Sequence, residues 1–236
     1  MKEFGDAGQV VVENVRTEQL REILVFLLLI APSTGLSFFA IRLGSLSFCL
    51  TAVATILRDL GLVSLIVFFL WRNHEPIGQV GWTFASAWQD AAFGAVLFVP
   101  MFFGAGSLEE VLKASGFSSP ATPPRSLTPG SPAEFLLAGV LVVVVAIAEE
   151  IIFRGYLILR LQAITRSRVA AALLSSIIFS LGHGYEGTSG VITVGLMGLL
   201  FALVYLSRKS LMAPIVMHFL QDFIGIVLIP LTKHRP

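Results

Sequence analysis

Apolar residues recur along this chain in long blocks separated by short polar breaks. The first block runs from Ile23 to Ile41, with Pro32 and Gly35 as kink points that neighbouring membrane helices can tolerate. Ser45 to Trp71 forms a second block, interrupted by Arg58 and Asp59. It reads either as one long span with a buried ion pair or as an interfacial helix running into a shorter span. Ala91 to Ala105 is a third, short block, and a fourth begins near Ala133. Val169 to His183, Ser189 to Leu206 and Leu211 to Leu231 complete the series. A helix crosses a bilayer with about 20 apolar residues. The pattern therefore predicts an all-α, polytopic membrane helix bundle of about seven transmembrane helices.

The polar breaks add detail. "SSPATPPRSLTPGSP" (Ser118 to Pro132) is rich in Pro, Ser and Thr and predicts an extended loop. Trp71, Trp82 and Trp88 bracket a polar segment where an aromatic belt would meet the membrane surface. Residues 1–22 are polar and of mixed charge, unlike the short basic leader of a signal peptide, so the first apolar block is expected to be a retained helix. The chain then divides into this N-terminal segment, residues 23–132 with the first helices and the Pro/Ser-rich loop, and the bundle at 133–236. If seven spans alternate, Arg16 and Arg21, the Arg160/Arg166/Arg168 connector and the Arg208-Lys209 turn share one side. That side is expected to be cytoplasmic, with the N-terminus inside. Lys233 and Arg235 fall opposite and speak against it.

Composition narrows the class further. The chain is 56% hydrophobic and 13% charged, whereas soluble domains carry about a quarter charged residues; with a mean hydropathy of +0.86, a large soluble core is a poor reading. Lipid is the expected surroundings. A net charge of +1 gives no reason to expect nucleic acid. Cys49 stands alone, so no intramolecular disulfide forms, and it is expected to be a small buried hydrophobe.

Against this background, ionisable groups in three later blocks stand out, because each costs about 2.5–3.5 kcal/mol at membrane depth on insertion scales. They lie in "EEIIFR" (Glu149 to Arg154), "FSLGH" (Phe179 to His183) and "HFLQD" (His218 to Asp222). Glu150 and Arg154, four apart, share a helix face and can pair. Glu149 points about 100° away, with no basic residue four positions distant, and is left to face a cavity as a general base. Both glutamates could instead sit in water at a helix end. Phe179 and His183 are one turn apart, and a lone His there could be an interfacial residue. His218 and Asp222 share a face, at a spacing that grips a metal or a water, or that makes an intrahelical hydrogen bond.

Glu-Glu-x-x-x-Arg, then Phe-x-x-x-His, then His-x-x-x-Asn/Asp, in that order on successive helices, resembles the CPBP family of intramembrane proteases, over roughly Ala133 to Pro230. This family includes the type II CAAX prenyl endopeptidases and bacterial bacteriocin-processing and immunity-type members. The resemblance implies hydrolysis of a peptide bond in a membrane-associated protein or peptide, with the chain embedded in a bacterial cytoplasmic membrane. It implies Glu149 as the base that activates water, assisted by His183, with His218 and Asp222 at the oxyanion. CAAX members carry asparagine where this chain has Asp222. An ionised aspartate accepts hydrogen bonds but donates none, so Asp222 fits better as the group that orients His218 or as a metal ligand.

Two versions of the chemistry follow. In one, a divalent metal such as zinc, held by His183, His218 and Asp222, polarises water and carbonyl. In the other, Glu149 and His183 share the proton transfer and His218 donates to the oxyanion, without metal. No serine or cysteine lies in a nucleophile setting. Two other classes compete: a non-proteolytic membrane scaffold or immunity factor of the same family, and an ion relay in a transporter. The absence of an internal repeat tells against the last.

Overall fold

A computed structural model describes residues 3–39, 47–120 and 124–233, with side chains described from Thr17 onward. The described residues form an all-helical bundle: α1 (Glu3–Ser37), α2 (Phe48–Arg72), α3 (Ala87–Ala114), α4 (Pro132–Thr165), α5 (Arg168–Leu181), α6 (Gly187–Arg208) and α7 (Met212–Lys233). Six of these are long and apolar enough to cross a membrane. With Leu, Val and Phe side chains facing outward along most of them, the chain is an integral multi-pass membrane protein.

Several expected bounds shift. α2 is one continuous helix of 25 residues, so the block containing Arg58 and Asp59 is a single span with a buried ion pair. α3 has 28 residues and extends well past Ala105, because polar residues at both ends continue the helix beyond its apolar centre. α5 has 14 residues, about 21 Å at 1.5 Å per residue, which falls short of the roughly 30 Å hydrocarbon core. Ile41 and Ser45, at the edges of the first two expected blocks, lie outside the described residues, as do 121–123 of the Pro/Ser/Thr loop. Cys49 is exposed, its thiol 3.6 Å from Glu134 Oε1; it faces outward from α2.

Helix starts follow local chemistry. Ser47, Ser131 and Ser167 cap α2, α4 and α5, each hydroxyl accepting from the backbone N–H three residues on. At α4, Pro132 occupies the first turn and Glu134 reaches back to the Gly130 N–H at 2.7 Å. That arrangement is close to a capping box and sets the angle at which the helix enters the bundle.

α4 is the axis. α2 packs along its first half, α5 and the described part of α1 along its second, and α7 beside it; α3 lies against α7 and α6 against α5. Small residues permit close approach where lipid offers no hydrophobic drive. A Cβ on Gly94 of α3 would stand 2.5 Å from the Ala213 carbonyl oxygen of α7. Arg160, read as part of a basic connector, is buried within α4: it pairs with Glu22 of α1 at 3.0 Å and with Glu75 at 2.6 Å. Tyr156, Arg72 and Asn73 also donate to Glu22. This polar knot ties α1, α2 and α4 at one end of the bundle, and it removes Arg160 from the topology argument.

Candidate active site

The three charged clusters meet around one cavity of about 1050 Å³, which Glu149, Phe179, His183, His218 and Asp222 help to line. They come from α4, the end of α5, and α7. At Glu150–Leu157 the α4 backbone loosens into a π-helical stretch, a distortion frequent at functional sites. Glu149 is the last residue of the regular α-helix before it.

Glu150 and Arg154 pair as their spacing predicts, with Nη1 donating to Oε1 at 2.8 Å; both side chains are almost wholly buried. Arg154 also donates to the Gly198 carbonyl of α6 at 3.2 Å. Its guanidinium stacks over Phe179, 4.2 Å from the ring centroid, and Phe201 lies 5.1 Å away. Glu150 Oε1 takes a second hydrogen bond, from His218 Nδ1 at 2.8 Å. A carboxylate only accepts, so Nδ1 carries the proton in this contact.

The other ring nitrogen of His218, Nε2, stands 3.5 Å from Asp222 Oδ2 and 3.8 Å from Glu149 Oε2. The second distance exceeds a hydrogen bond, and Oε2 is buried without a hydrogen-bond partner among the described residues. Glu149 Oε1 accepts from Arg58 Nη2 of α2 at 3.4 Å. That contact was missed in sequence, where only basic residues on the same helix could be weighed.

His183 sits two residues past the end of α5, at the start of a short 3₁₀ turn, rather than on the helix. It still reaches back one turn: Nδ1 lies 3.1 Å from the Phe179 carbonyl, and the two rings are 4.8 Å apart. A carbonyl only accepts, so in the neutral ring Nε2 is left unprotonated. Among the described residues His183 makes no ion pair or hydrogen bond with Glu149, His218 or Asp222; it shares their cavity, not their contacts. Ser119, Pro120, Pro124, Ser126 and Leu127, from the described parts of the segment before α4, line the same cavity. Gly187 has φ +74, and a Cβ there would stand 2.6 Å from the Ser118 carbonyl oxygen. Ser118 exchanges hydrogen bonds with Thr188 and Ser189 at this crossing.

No group of three His, Cys, Asp or Glu side chains is gathered as a metal site among the described residues. The Nδ1 bond to Glu150 leaves His218 Nε2 available as a ligand, but His183 makes no hydrogen bond or ion pair with His218 or Asp222 among the described residues. The expected His183/His218/Asp222 set is thus not gathered around one point in this arrangement.

Carboxylates and imidazoles thus converge on one cavity of a bundle of apolar helices. Residues 131–224 match the family described as type II CAAX prenyl endopeptidase Rce1-like, consistent with the CPBP resemblance. No curated protein and no solved structure matches the chain.

Proposed function

We propose that this protein is an intramembrane endopeptidase in which Glu149 activates the attacking water. The observation that carries the reading is the Glu149 carboxylate of the cavity wall: Oε1 accepts from Arg58, while Oε2, 3.8 Å from His218 Nε2, has no hydrogen-bond partner among the described residues. A water on Oε2 gives up its proton there as its oxygen attacks a peptide carbonyl carbon. Negative charge develops on the carbonyl oxygen. His218 donates to it from Nε2 in its imidazolium form, since Nδ1 is already committed to Glu150. Collapse breaks the C–N bond, and the leaving nitrogen takes the proton from Glu149 directly or through His183 Nε2. Asp222, 3.5 Å from Nε2, orients the ring.

The substrate class is a membrane-associated peptide or protein. The cavity is at the upper end of small-ligand sites, which span about 300–1,000 Å³, and its walls mix apolar side chains with Thr, Glu and His; this suits a peptide segment. Membrane proteomes from cells carrying the wild-type protein and Glu149→Gln, compared by mapping new N-termini, test the reading. Termini present only with the wild type are expected. Identical sets would leave a non-proteolytic scaffold.

A further inference from the structure

The wall of the cavity carries a charged pair that lies outside the family-matched segment. Arg58 and Asp59 are adjacent in the middle of the otherwise apolar α2. Asp59 is completely buried, and its Oδ1 accepts from Arg58 Nε at 2.8 Å while Nη2 stands 2.7 Å away. The same Nη2 donates to Glu149 Oε1. One guanidinium therefore joins carboxylates of two helices. Adjacent helix positions diverge by about 100°, so Arg58 must fold back across Asp59, and this carries its head group toward α4.

Packing does not require the pair. Phe48 and Ala52 of α2 already close against Ala138 and Leu141 of α4, and a buried ion pair is weak evidence of stabilisation. Its placement beside Glu149, whose Oε2 stands 3.8 Å from His218 Nε2 without a hydrogen-bond partner among the described residues, has a clearer consequence. We infer that Arg58, anchored by Asp59, is a positioning residue for Glu149: it holds Oε1 and so turns Oε2 toward the attacking water. The inference rests on the peptidase reading above. Glu150 and Arg154 cannot substitute, since neither shares a hydrogen bond with Glu149 among the described residues. Displacing a reacting group by about 1 Å can cost about 10²-fold in rate.

The test uses the full chain in detergent with two quenched fluorogenic peptides, one with a farnesylated cysteine and one without. Arg58→Met alone strands the Asp59 charge and risks misfolding, so Arg58→Met/Asp59→Leu, which removes both charges, is measured beside it. The double variant is expected to keep the wild-type unfolding midpoint and KM while kcat falls about 10²-fold. Arg58→Lys and millimolar guanidinium chloride added to Arg58→Ala are each expected to restore part of kcat. A double variant with wild-type kcat overturns the inference. So does a change confined to KM, which would make Arg58 a substrate-binding residue, or a loss that tracks a lowered midpoint and resists both rescues. Cleavage by Glu149→Gln at the wild-type rate, or no Glu149-dependent cleavage of either peptide, overturns the peptidase reading itself; Arg58 has no part in that comparison.

Discussion

His218 and Arg154 donate to the same oxygen of Glu150, each at 2.8 Å. The helix near the end of the chain is thus keyed to α4 through one buried carboxylate, and Arg154 carries the link on to the Gly198 carbonyl of α6. Three helices are locked by one chain of charge-assisted hydrogen bonds, which fixes the His218 ring before any substrate arrives. Arg154→Met leaves Glu150 with His218 alone. Breaking a buried pair from one side typically costs roughly 3–5 kcal/mol, so a lowered unfolding midpoint in detergent and reduced abundance in membranes are expected.

The two histidines are expected to separate in their effects. His183 is half-buried beyond the end of α5, with one hydrogen bond to a backbone carbonyl. His183→Ala should lower kcat by about 10²–10⁴-fold, the usual scale of acid–base assistance, with the midpoint unchanged. His218→Ala should lower both kcat and the midpoint, because it also removes a partner of Glu150. Equal midpoints for the two variants would contradict the keying role of His218.

Asp222 offers a reversal. An amide at this position can still accept from His218 Nε2 through its oxygen and can also donate to the oxyanion through its nitrogen. Asp222→Asn is expected to retain cleavage, whereas Asp222→Leu, which does neither, is expected to lose most of it. Steady-state rates of the two variants decide the point, and an inactive Asp222→Asn would require a role for the ionised carboxylate.

Close helix packing gives a prediction independent of chemistry. Gly94→Ala would set a methyl 2.5 Å from the Ala213 carbonyl oxygen, whereas a Cβ on Gly104, ten residues on in the same helix, meets nothing within 4 Å. Overpacking of this kind costs typically about 1–3 kcal/mol. Gly94→Ala should lower the unfolding midpoint and Gly104→Ala should not, measured side by side.

Much of the architecture could be read from the chain, since blocks of apolar residues and polar breaks carry the helix count directly. The Glu150–Arg154 pair was legible because an i,i+4 spacing encodes a contact. What could not be read were contacts between helices: Arg58 reaching Glu149 across α2 and α4, or Arg160 buried against Glu22 and Glu75. Residue spacing says nothing about partners on other helices. His183 differs for a local reason, since α5 ends at Leu181 and the turn that follows still returns the ring to Phe179. The His183/His218/Asp222 metal set is not gathered among the described residues, since His183 lies past the end of α5 with its ring against Phe179.

Glu149 Oε2 takes the proton of the attacking water in the proposed reaction. The most direct measurement of this role is hydrolysis by purified Glu149→Gln against wild type, at matched abundance and matched unfolding midpoint. Glutamine keeps the size and the Arg58 contact but removes the base, and a fall of about 10²–10⁴-fold or more in kcat is expected. Turnover at the wild-type rate would contradict the account.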